Sequence, residues 1–204
     1  MAFRKVFWRG LDLTLSRFGE HGGYELWCKA DDAMLLWDRI ARAGEAFALA
    51  PAGLDAMDTL DLEAGVPRPG RDYDGATAAA AAGPLAGELR LASLIDPEHQ
   101  GFNAAAAARD ARPGRKLVGL VLDSATPAPF APLRAGGAVV GRTLGSRYSG
   151  ALRRAIALAQ LDEGHSGAGL TLILPPSRDL LLPTVAAARV VDLPFLPAPD
   201  PLAP

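Results

Sequence analysis

The sequence predicts an α+β chain, with strands and helices in its first half and a small β-barrel or sandwich in its second. Three observations carry this. Leu11, Leu13 and Leu15 alternate with Asp12, Thr14 and Ser16, the signature of a half-buried strand. Two stretches after residue 31 repeat apolar residues at helical spacing. From residue 115 the chain breaks into short apolar runs separated by turn residues, the texture of a small all-β unit.

The first strand leads into a Gly-rich turn at Gly19 to Gly23, and a second strand runs from about Tyr24 to Lys29. On it Tyr24, Leu26 and Cys28 point one way, and Glu25, Trp27 and Lys29 the other. Asp31 or Asp32 is placed to cap a helix whose stripe is Ala33, Leu36, Trp37 and Ile40, with Gly44 as its stop. A second helix starts near Gly53 or Leu54. Its expected apolar face is Leu54, Met57, Leu60 and Ala64, and Gly65 and Pro67 end it. Its acids Asp55, Asp58, Asp61 and Glu63 read as a solvated face.

The run "VPRPGRDYDG" reads as a loop, "ATAAAAAGPLAG" as an ordered connector, and "NAAAAARDA" (103–111) as a short Asn-capped helix. "RKLVGLVLD", "GGAVVGRTLG", "RAIALAQL", "GLTLILPP" and "VAAARVVDLPF" supply the strands of the second unit. The boundary is expected near residue 112, and the proline-rich tail 198–204 is expected to be loose.

Composition bounds the function. A formal net charge of −2 gives no global support for binding nucleic acid. Residues 1–74 hold nine Lys and Arg against thirteen Asp and Glu, which leaves the remainder slightly basic. Arg109, Arg112, Arg115 and Lys116 cluster there, as do Arg142, Arg147, Arg153 and Arg154; both groups read as solvated surface, with an anion-binding face as the alternative. The single cysteine, Cys28, rules out a disulfide framework within one chain. His21, His99 and His165 show no paired ligand spacing, so no metal site is expected. "MAFRKVFWRG" is too short and too charged for a signal peptide, and no apolar run is long enough to span a bilayer. These readings point to a cytoplasmic protein without membrane partners. No Ser-His-Asp order and no G-x-x-x-x-G-K phosphate loop occurs.

Glu25 is the candidate functional residue. A strand carboxylate beside Trp27 is able to accept two parallel hydrogen bonds from a flat heterocycle, with the indole as a stacking wall. The competing reading is an acid on the solvated face of an edge strand, and the general exposure of acids favours it.

"LTLSRFGEHGGYELWCKADDAMLLWDRIARAG" resembles the central block of the glycine cleavage T-protein (aminomethyltransferase) family, with its S-R-x-G-Y/F-x-G-E-x-G-Y-E-I/L pattern and following L-W helix. The doubled Gly22–Gly23 is similar to the variant of dimethylsulfoniopropionate demethylases. "GLDAMDTLDLEAGVPRPGRDYD" resembles the family's next block, and "RKLVGLVLD", "VVGRTLGSRYSGALRRAIALAQL" and "ARVVDLPF" resemble its C-terminal barrel. The resemblance covers roughly residues 10 to 197.

It implies the C-terminal part of a three-domain fold: a partial folate-binding α+β region over 1–111, a β-barrel domain over 112–197 and the tail. It also implies that Glu25, at the family's G-Y-E position, contacts the pterin of tetrahydrofolate, with Trp27 beside it. Glu20, in the G-E-x-G turn, is assigned a turn-structuring role. The departures are as informative. Met57 stands where the family has the arginine of A-R-D, and Asp61 replaces the arginine of L-R-L-E. The T-P-x-E-A-G-L connector is eroded, and Y-S-P reads Tyr148, Ser149, Gly150. Family members carry well over a hundred residues before the first block, including the catalytic aspartate, so no catalytic residue is assigned here.

The implied function is transfer of a one-carbon unit to tetrahydrofolate from a small methylated or aminomethyl donor, by a chain that is incomplete or needs an N-terminal partner chain. The alternative is a non-catalytic folate-binding or interaction subunit, or a degenerate gene product. The related iron–sulfur assembly group ranks below both, because its K-G-C-Y-x-G-Q-E motif is absent.

Overall fold

The computed structural model describes residues 3–18, 23–73, 114–123, 126–174 and 184–196. They form two compact units, one of residues up to 60 and one running from 61 to 196. The fold class is α+β. The expected boundary near 112, the alanine-rich connector, the 103–111 helix, Glu20 and the tail all lie outside the described residues.

The first unit is a three-stranded antiparallel sheet, order β1-β2-β3, with a helix on one face. β1 is Phe3–Trp8, β2 Leu11–Phe18 and β3 Gly23–Trp27. β1 pairs with β2 through a two-residue hairpin at Arg9 and Gly10, both with positive φ (50° and 85°). That is the turn whose twist matches its flanking strands, and glycine adopts it without steric cost. β1 was not foreseen from sequence. Its alternation (Arg4, Val6, Trp8 against Phe3, Lys5, Phe7) mixes large and charged residues on both faces, so hydropathy alone does not mark it.

α1, Ala33–Gly44, packs on this sheet through Leu36 and Ile40, which meet Leu11, Leu13, Trp8 and Cys28. Asp32 holds the N-cap position without a side-chain hydrogen bond, because a 3-10 turn over Ala30–Asp32 leads into the helix. Trp37, expected in the apolar stripe, is 59% exposed. Gly44 does end the α-helix, but a second 3-10 turn follows, and Ala48 takes the left-handed conformation at its end. Gly44 is also a packing residue: a Cβ there would run into the Leu49 side chain.

α2 runs from Leu54 to Glu63. Its buried residues are Asp61, Leu62 and Glu63, whereas Leu54 is 83% exposed and Leu60 also faces solvent. The expected apolar face is therefore corrected: the last turn, not a stripe through Leu54 and Leu60, packs inward. Gly65 (φ 73°) closes the helix, with Gly65 N–H donating to the Leu62 carbonyl and Val66 N–H to that of Asp61.

The second unit is a closed six-stranded antiparallel barrel, order β4-β7-β6-β5-β8-β9. Its strands are β4 Arg115–Leu122, β5 Pro132–Ala135, β6 Ala138–Ser149, β7 Arg154–Asp162, β8 Leu170–Leu174 and β9 Thr184–Val191. The interior alternates large and small side chains: Leu120, Leu122, Leu133, Leu161, Leu170 and Leu172 interleave with Ala155, Ala157, Ala159, Ala186 and Ala188. Small side chains let six strands close without leaving the centre overfilled. The other face of β4 and β7 is also covered. Leu117, Val121, Ile156 and Leu158 meet Leu62, Tyr73, Leu193 and Phe195. A strand buried on both faces reads as a continuous apolar run, as "RAIALAQL" does.

Candidate functional site

The register fixes where Glu25 and Trp27 lie. Ser16 is opposite Glu25 and Thr14 opposite Trp27, and directly opposed side chains share a face. That face is the one turned away from α1. Leu26, between the two, projects to the α1 side, as read from the sequence alternation. β1 adds Phe3, Lys5 and Phe7 to the same face, opposite Ser16, Thr14 and Asp12. The row Phe3–Ser16–Glu25 therefore adjoins the row Lys5–Thr14–Trp27.

The centre of the face is low and its flanks are high. Ser16 is 8% exposed and Thr14 half-buried, whereas Phe3, Phe7 and Trp27 are exposed by 72%, 74% and 62%. Glu25 is half-buried, and its carboxylate makes no hydrogen bond or ion pair with the described residues. Among the described residues its acceptor capacity is unspent, and a broad indole surface lies one step along the strand.

A cavity of about 350 Å³ lies on the opposite face, between the sheet and α1. Val6, Trp8, Leu13, Leu15, Leu26 and Ile40 are among its lining residues. Neither Glu25 nor Trp27 reaches it. It offers no acceptor to a polar heterocycle, so the outer sheet face is the better candidate for one.

The acids of α2 divide. Asp61 and Glu63 are buried, which overturns the reading of a wholly solvated acidic face. Asp61 pairs with the Arg68 guanidinium. Glu63 Oε1 accepts from Ser149 Oγ at 2.6 Å, and Ser149 Oγ in turn accepts from Leu152 N–H at 3.0 Å. Asp72, fully buried, accepts from Arg68 N–H at 2.7 Å and from the Arg71 guanidinium at 2.6 Å. Burial, helped by the neighbouring Asp72 carboxylate, pushes the Tyr73 hydroxyl above its ordinary pKa. Each of these acids already has its partners within the fold, so the group anchors the 61–73 segment on the barrel.

The arginine clusters are largely engaged too. Arg115 meets Asp162 at 3.2 Å, and Arg142 donates to Gln160 at 2.9 Å while lying over the Phe130 ring. Arg154 pairs with Asp123. Arg109 and Arg112 lie outside the described residues. Among the described residues no group of three or more His, Cys, Asp or Glu is placed to hold a metal ion. No helix among them is long and apolar enough to cross a membrane.

The residues missed from sequence are Phe3, Lys5 and Phe7. The signal that would have found them is the pair Arg9–Gly10, a hairpin turn between two alternating runs.

Residues 1–85 match the family of the GCVT N-terminal domain, and residues 115–196 that of the glycine cleavage T-protein C-terminal barrel domain. The aminomethyltransferase of Symbiobacterium thermophilum is 34% identical over 190 residues, 92% of this chain and 48% of that protein. That of Moorella thermoacetica is 36% identical over 194 residues, 93% and 50% respectively. That of Frankia alni is 37% identical over 169 residues, 80% and 45%. The chain spans about half the length of the curated relatives it matches. Among solved structures, the glycine cleavage system aminomethyltransferase T of Bartonella henselae shares the fold, with a TM-score of 0.68 at 20% identity over 91% of this chain and 50% of that one.

Proposed function

Because the chain belongs to the glycine cleavage T-protein family, we propose that it serves a tetrahydrofolate-dependent one-carbon transfer, with Glu25 holding the edge of the pterin and Trp27 flanking it. The observation that carries this reading is the half-buried Glu25 carboxylate, without a hydrogen bond or ion pair among the described residues, two residues from an exposed indole. The residues fit the group. A reduced pterin presents adjacent N–H donors along one edge, and a carboxylate has two oxygens to receive them. When bound, tetrahydrofolate supplies the nitrogen that accepts the carbon unit.

The part of this chain is to bind and orient. A pterin fixed at Glu25 is held in one plane and one rotation, and fixed orientation is a large share of what such a transfer requires. The carbon source in this reading is a small methylated or aminomethyl donor, and the setting is cytoplasmic.

A second reading, a non-catalytic folate-binding or interaction subunit, is favoured by two residues. Met57 offers no guanidinium donors, and Asp61 is committed to Arg68 within the fold. Neither takes the place of the arginines that the family resemblance leads one to expect there.

Titration with tetrahydrofolate followed by tryptophan fluorescence tests the shared premise. The expected result is saturable micromolar binding that weakens at least about tenfold in Glu25→Gln, equivalent to about 1.4 kcal/mol. Absence of saturable binding, or equal binding by the variant, contradicts it.

A further inference from the structure

Building on the pterin reading of Glu25, we infer that Lys5 anchors the anionic glutamate tail of the same folate, so that the outer sheet face binds the molecule across β2 from end to end. The register carries this. Lys5 lies opposite Thr14, Thr14 lies opposite Trp27, and Glu25 stands one row along on the same strand as Trp27. With strands about 4.8 Å apart and about 3.4 Å per residue, the Lys5 and Glu25 Cα atoms are on the order of 12 Å apart. The aminobenzoyl ring that joins the pterin to the glutamate crosses that gap over Thr14, where the face is low.

The chemistry of the two ends is complementary to the two ends of folate. Glu25 is an acceptor facing N–H donors. Lys5 is the cation of this face among the strand residues, where the other charges are Asp12 and Glu25; Arg4 and Arg17 project to the opposite side by alternation. Lys5 is exposed, and its ammonium makes no hydrogen bond or ion pair with the described residues. An ammonium on a four-carbon stem adapts to a flexible carboxylate better than a fixed fork does. Phe3, Phe7 and Trp27 wall the path with apolar surface suited to an aromatic ring.

The test compares three ligands on the full chain by fluorescence or calorimetric titration: tetrahydropteroate, which lacks the glutamate, tetrahydrofolate, and its triglutamate. The expected order of affinity rises along that series, by about fivefold at the first step at low salt, the scale of one exposed ion pair. The preference disappears in Lys5→Ala, survives in Lys5→Arg and in the opposite-face control Arg4→Ala, and shrinks in 1 M salt. Tetrahydropteroate itself binds wild type and Lys5→Ala alike. Equal affinity for tetrahydropteroate and tetrahydrofolate in the wild type overturns the Lys5 assignment and leaves the Glu25 reading intact. So does a tail preference that Lys5→Ala retains. Failure to bind any of the three overturns the pterin reading, and the Lys5 assignment with it.

Discussion

Ser149 shows how residue-scale chemistry escapes a linear reading. Its hydroxyl donates to Glu63, 86 positions away, and receives the Leu152 amide. Both side chains are buried. Removing the hydroxyl leaves a buried carboxylate short of a donor, so Ser149→Ala is expected to cost about 1–3 kcal/mol in urea unfolding, more than a surface Ser→Ala. An unchanged midpoint would show that water replaces the hydroxyl. In the sequence Glu63 reads as one acid among four on a helix. Nothing local distinguishes it from Asp55, because what buries it arrives from β6. Glu25 was more legible: alternation alone put it beside Trp27 and opposite in face to Leu26, and the register agrees. Its role was not legible from alternation, since an edge-strand acid and a ligand-binding acid carry the same pattern.

At the scale of elements, α2 is the instructive case. Its apolar residues invited a stripe through Leu54, Met57 and Leu60, yet the buried residues are those of the last turn, where Leu62 joins the apolar cluster of the second unit. Helical spacing shows which residues share a face, not which turn is covered. Leu62→Ala is therefore expected to lose about 2–5 kcal/mol, while Leu54→Ala stays within about 0.5 kcal/mol of the wild type. Denaturant midpoints at constant slope would check both; comparable losses at the two sites would contradict the packing. β1 escaped the sequence reading for the reverse reason. It presents aromatic and charged residues on both faces, so no hydropathy contrast marks it, and only its turn does. The barrel strands were the easiest elements to find, since β4 and β7 bury both faces and spell unbroken apolar runs.

At the scale of the whole molecule, the α+β class and the strand-rich second half followed from texture along the chain. Closure and strand order did not, because β4 pairs with β7 and β9, partners separated from it by much of the chain. The alanines of β7 and β9 are explained by the closed form, where Ala155, Ala157, Ala159, Ala186 and Ala188 make room for the leucines at the barrel centre. The same scale defines what the chain offers to function. One face of its β1-β2-β3 sheet packs on α1, and the other carries Glu25, Trp27 and Lys5. A crystal of the full chain soaked with tetrahydrofolate measures this directly. The account predicts the pterin edge on the outer face of the β1-β2-β3 sheet, with its N–H donors about 2.7–3.1 Å from the Glu25 carboxylate oxygens. A pterin bound elsewhere, or a Glu25 carboxylate turned into solvent beside a bound ligand, would contradict it.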